Sequence, residues 1–224
     1  MTKIHTFEEA VSVVKEMGIV PLSSFIPEHP SLESITEKAA WHTGEASDPW
    51  LWRDRFAGEG IAAYGRFFKK KPMLIDSRLF PLWCRALESS MDVEERYQDG
   101  LASRHTVRLY EVIRDNPGID VKTLRKAVGL ASKEDKAEFD KTLIELQSST
   151  EVVIAGISDR LNEQGNKNGW NSTCYVLSEV WIAQHGLNTV RISAEEAKRE
   201  LLADCKQRWS EEAYSFVVKA LGKH

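Results

Sequence analysis

The sequence predicts a mainly α-helical protein with small β elements. Its expected centre is a winged helix-turn-helix core, flanked by an N-terminal α/β region and a C-terminal helical tail. Three observations carry this. From Ser103 to Leu146, apolar residues recur at helical spacing in three runs, each bounded by a cap or a breaker. "EVVIAGI" (151–157) and "STCYVLSE" (172–179) then read as two β-rich runs. The Gly/Asn-rich "SDRLNEQGNKNGWN" joins those runs as a hairpin loop would.

Taken in order, Thr6 and Glu9 form a capping box for a helix that buries Phe7, Ala10, Val11 and Val14 and stops at Gly18. "IVPLSSF" reads as a short extended piece that Pro21 confines to an edge or a start. Ser31 to Ala40 is expected as a second helix. Gly44, Ser47, Asp48 and Pro49 form a turn before a Trp-rich segment, in which Trp50 and Trp52 would share one face of an extended strand. Residues 57–74 give a mixed pattern, and a helix starts near Phe80.

Within the central block, Val107, Leu109, Tyr110 and Ile113 line one helix, and "DNPG" (115–118) ends it. Val121, Leu124 and Val128 line a second, stopped by Gly129. Ser132 and Asp135 cap a third, with Phe139, Leu143 and Leu146 buried. A linker is expected after Trp181, then a helix from Ser193 to about Arg208 and a short one from Ser210 to Gly222. The expected organisation is 1–95, 96–181 and 182–224.

Composition narrows the function classes. The chain is 42% hydrophobic and 29% charged, as a globular protein is, with a formal net charge of −4. Any nucleic-acid contact must therefore come from a local patch. No apolar run reaches membrane-span length, and the early acids do not fit a signal peptide. Cys84, Cys174 and Cys205 lie far apart with no metal-site spacing, which predicts buried thiols, a cytoplasmic location, no metal and no cofactor.

Several segments together resemble the AlkZ-related proteins, relatives of bacterial winged-helix glycosylases that excise alkylated or crosslinked bases from DNA. They are "DPWLWRDRF", "AYGRFFKKKPMLID", "LFPLWCRAL", "LRKAVGL" and "ISAEEAKRELLADC". The resemblance runs from about residue 5 to 208 and implies a DNA connection. It also implies a Gln-x-Gln or Gln-x-Asp motif that positions the attacking water. Gln98, Gln147, Gln164, Gln184 and Gln207 are the glutamines of this chain, and none has Gln or Asp two residues on. The expectation is a DNA-associated protein without that catalytic motif.

Glycosidic cleavage needs a group that orients water and stabilises a developing cation. Glu45 and Asp48 are the substitute candidates, although Asp48 before Pro49 fits a turn cap better. Asp54, between Arg53 and Arg55, reads as a surface ion-pair partner. His42, Glu45 and Asp48 could ligate a metal only on a helix, which Gly44 and Pro49 oppose. Trp50 and Trp52 fit the core first and base stacking second.

From Asp48 to Arg78 there are seven bases and four acids, a net +3 in an acidic chain. Arg53, Arg55, Arg66, Lys69, Lys70 and Lys71 are candidate phosphate contacts, joined by Lys122, Arg125 and Lys126 of the second central helix. On the third helix, Lys133, Ala137 and Lys141 face outward between Glu134, Glu138 and Glu145. That acidic row opposes insertion into a groove. The expected partner is therefore DNA, damaged duplex included, bound through phosphates. The alternatives are a protein partner held by the acidic third helix, with no DNA role, or an active glycosylase using a substitute carboxylate.

Overall fold

A computed structural model describes residues 3–158 and 171–221. The chain begins with α1 (Phe7–Met17), capped by the Thr6–Glu9 box and ended at Gly18, as its sequence signals require. Next come β1 (Ile19–Pro21), α2 (Leu32–Ile35), a 3-10 turn (Lys38–Ala40) and α3 (Pro49–Gly58). β2 (Ala62–Phe68) and β3 (Lys71–Asp76) form a hairpin, followed by α4 (Phe80–Leu87), α5 (Val93–Gln98) and α6 (Arg104–Asp115). β4 (Ile119–Asp120), α7 (Val121–Ala127), α8 (Lys136–Ser148), β5 (Val152–Ser158) and β6 (Ser172–Leu177) complete the middle. α9 (Ser178–Gln184), α10 (Ala194–Arg208) and α11 (Glu211–Leu221) follow.

Among the described residues the strands form one six-stranded antiparallel sheet in the order β1-β3-β2-β5-β6-β4. This overturns the expected mainly α fold with small β elements around a winged helix-turn-helix. β5 and β6 do pair as a hairpin, but they are not a separate pair of strands. Tyr64 of β2 pairs with Ile154 of β5, so the N-terminal strands and the central hairpin share one sheet. The protein is an α/β fold with helices on both faces. The 159–170 part of the predicted hairpin loop lies outside the described residues.

Side-chain alternation along the strands builds two cores. Val20, Leu74, Tyr64, Ile154 and Tyr175 face one side, where α1, α3, α6, α7 and α8 cover them with Phe7, Phe56, Leu109, Leu124 and Phe139. Ile19, Met73, Ala63, Val153 and Val176 face the other, under Trp83 of α4, Trp181 of α9, Leu201 of α10 and Val217 of α11. Helices cover both faces, so most strand positions are apolar on both sides, and each fully buried large side chain adds roughly 1.5–3 kcal/mol.

Several local expectations change with the sheet. The helix expected over Ser31 to Ala40 is broken. Ser31 caps only one turn, and Thr36 turns extended while its hydroxyl donates to Leu32 O. Trp50 and Trp52 lie on α3, not on a strand, because Asp48 caps a helix that opens with Pro49. The linker expected after Trp181 begins only after Gln184, because Trp181 is buried inside α9 and donates to Ala57 O at 3.0 Å. Ser132 and Asp135 do exchange hydrogen bonds, but as a turn preceding a helix that starts at Lys136.

Candidate functional site

The β2–β3 hairpin concentrates positive charge. Arg66 is exposed on β2, and its guanidinium donates to Lys70 O at 3.4 Å. Phe68 pairs with Lys71, leaving a two-residue turn of Lys69 and Lys70. Both have positive φ, 53° and 58°, a combination that usually selects Asn or Gly. Among the described residues no carboxylate pairs with Arg66, Lys69, Lys70 or Lys71. The hairpin is anchored to α8, where the Arg66 N–H donates to the buried Gln147 Oε1 at 2.9 Å and Ser148 Oγ donates to Arg66 O.

The other bases of the +3 segment are already engaged. Arg55 is paired with Glu59 at 2.5 Å and lies over the Phe7 ring at 3.9 Å. Arg78 binds the buried Asp76 through two nitrogens. Arg53 sits beside Trp50 and Tyr64. Its guanidinium carbon is 3.3 Å from the Trp50 ring centre, Nη1 donates to Tyr64 Oη at 3.3 Å, and Nε lies 3.5 Å from Asp54. With its side chain 15% exposed, Arg53 is largely withdrawn from solvent.

Asp54 is buried, not a surface partner, and its Oδ1 has no hydrogen-bond partner. Burial pushes its carboxyl above the usual range, against the pull of Arg53. The aromatic set extends outward: the His42 ring lies 4.8 Å from Trp50 and 6.2 Å from Trp41. Trp52 is buried in the core and donates to Ala46 O at 2.8 Å. It offers no face to a base. Sequence reasoning missed Tyr64 and weighed His42 only as a metal ligand; the three-residue spacing of Trp50 and Arg53, neighbours once the segment is helical, was the signal that could have joined that pair.

Asp48 is a structural cap. Its carboxylate accepts backbone N–H groups from His42, Gly44 and Trp50 at 2.9–3.0 Å. Burial works to raise its pKa, but those donors outweigh it and the carboxyl titrates below its usual value. Glu45 is exposed on the preceding loop. Of the glutamines, Gln147 is committed to Arg66 and Leu143 O, while Gln98, Gln184 and Gln207 are exposed. Gln164 lies outside the described residues. No group of three or more His, Cys, Asp or Glu converges as a metal site among the described residues.

On α7, Lys122 and Lys126 are exposed, but Arg125 is tied down by Leu130 O and Ser132 O and reaches over Phe139. On α8 the acids turn toward neighbours. Glu138 is 3.6 Å from His105, Glu145 accepts from Thr106 Oγ1, and Asp140 is paired with Lys136.

The family model described as "AlkZ related" matches residues 4–222, nearly the whole chain. No curated protein matches, and no solved structure does.

Proposed function

We propose, from the premise that this chain belongs to the AlkZ-related family, that it associates with DNA through sequence-indifferent phosphate contacts and does not itself excise bases. The family supports a relative of DNA-repair glycosylases. The observation that carries the binding mode is the β2–β3 hairpin. It presents four cations with no carboxylate partner among the described residues, in a chain of net charge −4, and two of them hold a backbone conformation that lysine disfavours. Lys122 and Lys126 extend the cationic set, whereas Arg53, Arg55, Arg78 and Arg125 serve the fold. With Glu138 and Glu145 turned to α6, α8 has fewer carboxylates to offer a protein partner. The three unpaired-spacing cysteines support a cytoplasmic setting.

A salt titration of duplex binding tests this. Each lost phosphate contact shallows the log–log slope by about 0.9, so Lys69/Lys70/Lys71→Ala should flatten it by up to about 3. Equal slopes would remove the hairpin from the interface. No binding at low salt by the wild type would remove DNA.

A further inference from the structure

The cationic hairpin contains a β-bulge. Gly65 pairs with Met73 and Phe68 with Lys71, so Arg66 and Phe67 together stand opposite Pro72. Pro72 has no N–H to give, and its carbonyl accepts from Leu22 N on the β1 side. Gly65 makes room for the bulge: a Cβ there would lie 2.6 Å from the ring of Phe67, which is buried and packs on Phe80. β2 meets β5 at the Tyr64–Ile154 pair, before Arg66 is reached. At Arg66 both backbone polar groups turn to α8 instead. The N–H donates to Gln147 Oε1 at 2.9 Å, and the carbonyl accepts from Ser148 Oγ at 3.3 Å. The last two residues of α8 thus do at the bulge what a partner strand does elsewhere.

Gln147 is the stronger of the two links. It is 2% exposed, and its Nε2 donates to Leu143 O at 3.4 Å, which turns the amide oxygen toward Arg66. Ser148 Oγ is shared with Ile144 O at 2.7 Å. A bulge re-aims the side chains it carries. Here Phe67 enters the core, Arg66 goes to solvent, and its guanidinium returns to the turn at Lys70 O. Without the Gln147 acceptor, a part-buried N–H would lose its partner and the bulge its brace.

We propose that Gln147 is the positioning residue of the hairpin: it locks the Arg66 bulge and so pre-organises Arg66, Lys69, Lys70 and Lys71 for the DNA backbone. This role rests on the phosphate-contact reading and adds the residue that sets its geometry. A double-mutant cycle on duplex binding at one low salt concentration tests it. Gln147→Met keeps the length of the side chain and removes the acceptor. In the otherwise wild-type chain it should weaken binding roughly threefold to tenfold, the worth of holding one long side chain in its bound geometry. In an Arg66/Lys69/Lys70/Lys71→Ala background, where Lys122 and Lys126 remain, it should change nothing. A glutamine that only stabilised the fold would cost the same in both backgrounds, and that result would overturn the proposal. So would an unchanged affinity of Gln147→Met beside a wild type that binds. Ser148→Ala removes the second link at a half-buried position and should follow the same pattern, which decides the matter should Gln147→Met not fold. Amide hydrogen exchange reads the lock without DNA: the Arg66 N–H should exchange faster in Gln147→Met while core amides stay protected. Equal Arg66 exchange would overturn the lock whatever the DNA result. A wild type that does not bind at low salt would overturn the phosphate reading, and the Gln147 role with it, even where Arg66 exchange differs.

Discussion

Lys69 and Lys70 occupy both tip positions of the β2–β3 hairpin, each in the left-handed region that L-residues disfavour. A left-handed residue other than Gly costs roughly 1–2 kcal/mol, so the tip trades stability for charge. Lys70→Gly should therefore raise the urea midpoint by an amount equivalent to about 1 kcal/mol. The same variant should bind duplex DNA more weakly than wild type at low salt. Gains in both stability and affinity would separate the tip from binding.

Asp48 links the 42–47 loop to the start of α3 through three backbone N–H donors. Losing such a cap costs about 1–2 kcal/mol, the cost expected for Asp48→Ala at pH 6. Its folded pKa lies below the ordinary 3.8, so the stabilisation is fully present above that value and is lost as pH falls through the folded pKa. Urea unfolding of wild type and variant should therefore converge at acid pH. A gap that stays constant from pH 6 to pH 2.5 would refute the link to ionisation.

Two capped helices were legible in sequence: the Thr6 box before α1 and the Ser193 cap before α10 both form. The sheet was not. β2, "AAYGRFF", lies between two cores and buries both faces, so it shows no alternation. The Tyr64–Ile154 pairing joins residues far apart along the chain, and no local pattern can announce it. α3 was hidden for a related reason. Trp52, Asp54 and Phe56 are all buried on it, so it carries no single apolar stripe. Of the site, the hairpin lysines were readable as a charge run. Which arginines the fold would neutralise depended on tertiary partners such as Asp76.

Burial pushes the thiols of Cys84 and Cys205 up to about 12. The thiolate is the nucleophile, so at pH 8 both should alkylate roughly a thousandfold more slowly than in urea, where the thiols regain ordinary acidity. Mass spectrometry after a timed iodoacetamide pulse reads this directly. Rapid native labelling of Cys205, which is 3% exposed, would contradict its placement on the buried face of α10.

Base excision is the sharpest test of the proposed function. A glycosylase must extrude a base, orient water and stabilise an oxocarbenium-like charge, and losing one well-placed polar group costs about 2.7–4 kcal/mol of that stabilisation. Here no Gln-x-Gln or Gln-x-Asp motif exists, and Gln147 is consumed by Arg66. Asp48 spends its oxygens on backbone donors, Asp54 is buried beside Arg53, and Glu45 stands in open solvent. We therefore expect no alkali-labile sites when the chain alone meets duplex DNA carrying N7-alkyl-guanine, even under conditions where it binds. Strand breaks that persist in Glu45→Gln but vanish in Asp54→Asn would show that the buried carboxylate is reached by substrate. Excision would then have to run through the Trp50–Arg53–Tyr64 cluster, where an unpartnered carboxylate oxygen of Asp54, a cation and aromatic rings already meet.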